Sequence, residues 1–468
     1  MARSSLVGSI ALVALAGAAF AQPCSPRWVE APGTPDQGVH ALGVFEEAGS
    51  PALYIGGWFE SVNGVAALRV ARFHGGAWSA LGEGIPGPFN SQGYMMCCAN
   101  VHAFAQDAGR VVVGGNYILG GGIELNSIGA WDGTLWHSMA GGVAMPPACQ
   151  DCAPVVHSFA RFGGELHAAG TFDLAGGSVV NRVARWTGSS WLPLGSGIGV
   201  TATDPFPAWV YSMTPWAGSL YAVGRFSRAG EVETSCVARW DGASWHDVGG
   251  GLRTPEGGRH PTLAACAVYD SGHGPELYVA GILDIAGETM ARNIARWDGS
   301  SWRDVGGGVG SGVNDRVWAL AVFDDGRGPA LFAAGEFEDA GGAPASNIAR
   351  WDGQAWSALG AGVDGAVQAL VPFDDGSGPR LLVGGWFTRA GGAPSAFLAA
   401  WAGCPATCYA NCDASTAPPV LNVADFVCFL NHFAAEDSRA NCDASTAPPV
   451  LNVADFVCFL NAFAAGCP

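Results

Sequence analysis

A chain of 468 residues with 70 Gly, 28 Pro, 18 Trp and 23 Phe, of which 49% are hydrophobic and only 13% charged, excludes long helices over most of its length and excludes a solvated, disordered chain. Its net charge of -18, with all 22 basic residues arginine, excludes electrostatic binding to nucleic acid or an anionic membrane. The length suits one large repeat fold with an accessory module.

The chain opens with Arg3, an apolar run from Leu6 to Ala19 and the triplet Ala19-Phe20-Ala21 before Gln22, the three-part pattern of a secretory signal. Residues 1–21 are therefore expected to be removed, and the mature chain to carry no transmembrane segment. All 14 Cys follow residue 21, so export makes them disulfide candidates. Cys97 or Cys98 is expected to bond with Cys149 or Cys152, while Cys236 and Cys266 fall in predicted strands and read as buried small apolar residues.

A repeat dominates residues 22–404. Its best copy runs from Val317 to Val363: VWALAVF, the turn DDGRGP, ALFAAGEF, a loop, NIARWDG and AWSALGAGV. Each piece alternates with period two and is bounded by Gly-rich turns, which predicts four antiparallel strands per unit. A Trp opens the fourth strand at Trp78, Trp136, Trp191, Trp245, Trp302 and Trp356, and the third strand carries Trp131, Trp186, Trp240, Trp297, Trp351 and Trp401, with Phe73 in the first unit. The seventh unit stops after Trp401-Ala402-Gly403-Cys404. The segment Trp28-Val29-Glu30-Ala31 aligns with the missing strand, so the N-terminus is expected to close a ring of seven blades and remove the exposed sheet edges. Cys24 and Cys404 both fall in the turn of the split blade and are expected to bond there.

Second strands ending in Gly-Gly, as in Tyr54-Ile55-Gly56-Gly57, and Trp-led fourth strands resemble kelch-type propellers. That resemblance implies an all-β, seven-bladed β-propeller with four-stranded blades and leaves its activity open.

Residues 405–468 differ in composition. Ala410–Asn431 recurs without substitution as Ala440–Asn461, an offset of 30 residues. In each copy an oxygen-rich loop feeds a short amphipathic helix with Val423, Phe426, Leu430 and Phe433, or their counterparts, at helical spacing. Asn411, Asp413, Ser415, Asn422 and Asp425, with Asn441, Asp443, Ser445, Asn452 and Asp455, are oxygen ligands of the type that calcium takes. The duplication resembles a dockerin, in the Cys-bearing, Gly-Cys-ended variant that anchors proteins to bacterial surfaces, and Leu421-Asn422-Val423-Ala424-Asp425-Phe426 resembles its loop exit. It departs from that family where Thr416-Ala417-Pro418-Pro419 replaces the usual Gly turn. The two readings of these loops are calcium sites and a metal-free helical pair stapled by Cys412 with Cys428, Cys442 with Cys458, and Cys408 with Cys467. The resemblance implies a cohesin-like or surface-anchoring partner for residues 405–468, in an exported bacterial protein that is secreted or held at the cell surface, and the chain is expected to be a monomer.

Catalytic motifs are absent from the sequence, and the ten His read as scattered. The Asp-Asp-Gly segments at Asp324 and Asp374 read as hairpin turns, and Arg-Trp pairs such as Arg296-Trp297 as guanidinium packed on indole. Immediately after the Gly ending each second strand, the copies diverge to Trp58, Asn116, Thr171, Arg225, Ile282, Glu336 and Trp386. Blades one and seven are ring neighbours, so Trp58 and Trp386 are expected to form a sugar-stacking platform with Arg225 and Glu336 across the mouth and Asn116 beside it; the bland alternative is variable loop-entry residues. Functionally, the sequence reads as an exported binding or interaction propeller for a carbohydrate or protein ligand, with a carbohydrate-active hydrolase or lyase as the rival.

Overall fold

The computed structural model describes residues 26–86, 99–146, 153–204, 206–254, 260–310, 315–403 and the helix Val423–Ala434, together with Phe456 and Phe459. The period-two segments of each repeat pair antiparallel in chain order. In blade six, Arg316–Asp324, Pro329–Glu336, Ile348–Trp351 and Trp356–Ala358 form one four-stranded sheet. Among the described residues there are seven such sheets. The inner strand of each packs on the inner strands of both neighbours, and that of blade one, Val39–Glu47, meets that of blade seven, Ala366–Phe373. The structure is a closed seven-bladed β-propeller.

Closure uses both chain ends of the repeat region. Arg27–Val29 pairs with Leu398–Ala402 in the register Trp28↔Trp401 and supplies the outer strand of blade seven. The predicted Cys24–Cys404 bond lies outside the described residues, as do residues 1–21 and the four cysteines at 97, 98, 149 and 152.

The repeated tryptophans have two tasks. Within a blade, the third- and fourth-strand rings pack at 5.0–5.5 Å, from Trp28–Trp401 through Trp186–Trp191. Between blades, each fourth-strand indole N–H donates to a backbone carbonyl of the preceding blade: Trp136 to Leu81 (2.9 Å), Trp191 to Met139, Trp245 to Leu194, Trp302 to Val248 and Trp356 to Val305. The split blade keeps the pattern, with Trp28 donating to Leu359 (2.7 Å) and Trp78 to Pro32 (2.9 Å). Burial therefore satisfies the polar atom of each of these indoles while its ring fills the interblade core. That core is distributed: one buried cluster joins Tyr54, Val70 and Leu81 of blade one to Val101, Val113 and Trp131 of blade two, and the others repeat this around the ring.

Three sequence readings are corrected. Arginines of the Arg-Trp pairs do not stack on the adjacent indole, because successive strand residues point to opposite faces; Arg296 instead donates to Glu276 at 2.8 Å and Arg185 to Glu165 at 2.6 Å. Cys236 is buried and free, but it precedes the strand Val237–Trp240 in a left-handed conformation (φ 64°) rather than lying within it; Cys266 is free and half-buried. In the C-terminal module, Phe429 rather than Leu430 is the buried residue, stacked on its repeat counterpart Phe459 at 4.1 Å, and Leu430 is exposed. Phe426 packs on Phe456 at 6.2 Å, so the two copies meet through equivalent rings. Asp425 lies on this helix; the other proposed calcium ligands lie outside the described residues, and none of the proposed C-terminal disulfides has both cysteines within them.

Candidate functional site

The site begins at the glycine that ends each second strand: Gly57, Gly115, Gly170, Gly224, Gly281, Gly335 and Gly385. A Cβ at any of these would collide with a carbonyl oxygen at the start of the facing inner strand, so only glycine permits this approach. Each glycine N–H donates to a residue held at positive φ before the third strand, for example Gly57 to Arg69 and Gly385 to Phe397. Opposite the glycine, the inner strand carries a bulge that leaves one residue out of the ladder. In blade two, His102 is skipped between Val101↔Gly115 and Ala103↔Gly114. The skipped residues around the ring are His40, His102, His157, Tyr211, Ala264, Trp318 and Gln368.

Freed from pairing, these residues occupy one equivalent position near the start of the seven innermost strands, which surround the axis of the ring. Four consecutive ones form a continuous row: His40–His102 at 5.9 Å, His102–His157 at 5.4 Å and His157–Tyr211 at 4.8 Å between ring centroids. At one end, His40 packs on Trp58 (6.0 Å) and Trp386 (5.8 Å), which meet edge to face at 5.6 Å. At the other end, Tyr211 packs on Trp209 at 6.1 Å, and the Arg225 guanidinium lies over Trp209 (5.0 Å) and Phe206 (4.0 Å).

The row is electrically neutral at physiological pH. Burial pushes His40 and His157 down to about 3, helped in each case by the neighbouring His102, and burial alone pushes His102 down to about 4. Burial raises Tyr211 to about 12. The Trp386 indole donates to His40 Nε2 at 2.7 Å, so the ring proton of the neutral imidazole sits on Nδ1 and is accepted by the neighbouring Asn100 amide once its oxygen, otherwise unpartnered, is turned toward the ring. Among the described residues no three His, Cys, Asp or Glu converge to hold a metal ion; the histidines stand side by side.

Of the residues singled out in the sequence, Trp58 and Trp386 come together, exposed by 36% and 38%. Asn116 is the register partner of Asn100. Glu336 accepts from Arg316 at 3.1 Å, and Arg316 lies over Trp318 at 4.9 Å, whereas Arg225 lies against Phe206 and Trp209. The histidine row escaped the sequence reading. Its signal is Val39-His40-Ala41, Val101-His102-Ala103 and Val156-His157-Ser158, one repeat position in three successive units.

The profile of a family described as a domain of unknown function (DUF5122) beta-propeller matches residues 53–75. Among solved structures, the chain is similar to the WD40 beta propeller domain of Doa1, at 11% identity over 81% of this chain and 97% of that one, with a TM-score of 0.42. It is also similar to an ancestral GH74 enzyme, at 15% identity over 80% of this chain and 48% of that one, again with a TM-score of 0.42. No curated protein matches the chain.

Proposed function

We propose that this row and its flanking rings bind an oligosaccharide and that the propeller is a binding module rather than a hydrolase. The observation that carries this reading is the unbroken arc from Trp386 to Trp209, in which three consecutive neutral imidazoles are flanked at both ends by stacking aromatic rings. A neutral imidazole offers one donor and one acceptor, as a sugar hydroxyl does, while aromatic rings suit the apolar faces of sugar rings. Glu336, the carboxylate among the residues that follow the second-strand glycines, is engaged by Arg316, which favours binding over acid-base chemistry. Trp58→Ala and Trp386→Ala are each expected to lower affinity about tenfold or more for glycans retained on an array, with no hydrolysis by the unaltered protein. Release of sugar from those glycans would favour the enzyme instead.

We further propose that residues 405–468 are a dockerin-like attachment module for a cohesin-like or surface partner, and that the Asn411–Asp425 and Asn441–Asp455 loops take calcium. The equivalent packing of the two copies through Phe429 and Phe459 supports a duplicated unit with two related faces. Deleting residues 405–468 is expected to release a folded propeller from the cell surface into the medium; unchanged retention would remove the attachment role.

A further inference from the structure

Resting on the oligosaccharide reading, we infer that the glycan carries a carboxylate, a uronate residue, and that Arg225 with the Tyr211 hydroxyl receives it. Arg225 closes the second strand of blade four, Ser219–Arg225, at the far end of the arc from the Trp58–Trp386 platform. Its guanidinium carbon lies over the Phe206 and Trp209 rings, at 4.0 and 5.0 Å, so packing restrains the fork before any ligand arrives.

What distinguishes it is the lack of a partner. Arg72, Arg185, Arg296, Arg316 and Arg350 each pair with a carboxylate of the chain. Arg225 has neither a carboxylate nor a hydrogen-bond acceptor among the described residues, and its Nη2 is a buried donor left unsatisfied. A buried unpartnered guanidinium nitrogen is costly, and an acceptor on a ligand would satisfy it. A carboxylate matches the fork with two parallel hydrogen bonds. Tyr211 stands between Trp209 and His157, and its neutral phenol supplies a further donor beside Arg225.

Charge sets the rest of the ligand. The protein's net charge of -18 opposes a polyanion. The arginine beside Trp318, Arg316, is already engaged by Glu336. One available cation among the described residues of this arc, and a long neutral row beside it, therefore fit one uronate on a chain of neutral sugars. From Trp58 to Trp209 the arc runs through His40, His102, His157 and Tyr211, in steps of 4.8–6.1 Å, which is longer than a single sugar ring.

The test uses the whole exported chain and two probes: a xylooligosaccharide bearing one glucuronate, and the same molecule with that carboxyl reduced to the alcohol. Titration calorimetry is expected to show the acid bound at least tenfold more tightly. Arg225→Gln should erase that difference by weakening only the acid; Arg225→Lys should retain part of it, since charge survives but the fork does not. Trp386→Ala should weaken both probes alike. If Arg225→Gln keeps the preference while Trp386→Ala weakens both, the uronate inference falls and the oligosaccharide reading stands. Failure of either probe to respond to Trp58→Ala and Trp386→Ala overturns both.

Discussion

Asp325→Ala is expected to destabilise the propeller by about 3–5 kcal/mol, the largest cost of any single substitution considered. Asp325 is fully buried in the turn between the first two strands of blade six. It accepts from Arg327 Nε at 3.1 Å and again from Arg327 Nη2, stands 3.5 Å from Arg350 Nε, and accepts from the Trp401 indole at 3.3 Å. Trp401 belongs to blade seven and is the register partner of Trp28, so this carboxylate ties blade six to the blade that closes the ring. Removing it leaves Arg350, which is only 4% exposed, with the more distant Asp352 carboxylate at 3.9 Å as its remaining counter-charge. Asp375 occupies the same turn position in blade seven, but it is partly exposed and 3.6 Å from Arg380. Asp375→Ala should therefore cost less than about 1 kcal/mol. Denaturant unfolding of both variants decides the point: equal losses would show that the buried tie contributes nothing. Burial alone would raise the Asp325 pKa, but hydrogen bonds from Arg327 and Trp401 and the charges of Arg327 and Arg350 hold it below the usual carboxylate range. Its contribution is thus present above the unfolded value near pH 4 and lost as pH falls through the folded one.

The neighbouring Asp324 shows how far local sequence reaches. Its carboxylate accepts from the Gly326 and Gly328 amides at 2.8 and 3.1 Å, and Asp270 and Asp374 do the same in their turns. That task is local, and the Asp-Asp-Gly spelling is enough to read it. Asp325 is the next letter of the same word, yet its partners lie up to 76 residues away, and no spacing rule brings Trp401 to it. The same division holds across the molecule. Blade number, the split seventh sheet and the paired indoles follow from periodicity, because each unit must bury its apolar faces against the next. The fourth-strand indole bonds to the preceding blade were not read, although the Trp positions were, because they depend on how one blade leans on another. The residues after the second-strand glycines were legible as a variable position. The bulge was not: it is recorded only in the requirement for glycine at seven equivalent sites and in the register skip opposite each. Once that skip is known, His40, His102 and His157 fall into one row, and three of the ten histidines are no longer scattered.

That row predicts a distinctive acid response. Between pH 6.5 and 5, where most carboxylates remain ionised, the protein is expected to lose stability as pH falls, and the histidine row is expected to cause most of the loss. His40, His102 and His157 have folded values of about 3, 4 and 3 against an unfolded value of 6.5. Below pH 6.5 the unfolded chain takes up protons that the folded protein refuses, so stability is fully present above pH 6.5 and declines toward the folded values. Each histidine contributes at most about 1.4 kcal/mol per pH unit, less where its ring meets water. Melting temperature measured from pH 7.5 to 5 should fall less steeply for His102→Gln than for the unaltered protein, and less steeply still for His102→Gln with His157→Gln. Identical slopes in all three proteins would remove the row as the cause. Affinity for the neutral xylooligosaccharide should stay flat over the same range, because the imidazoles of the folded protein remain uncharged. Below about pH 3 it should fail, since protonation of His40 Nε2 abolishes the acceptor that holds the Trp386 indole in the platform.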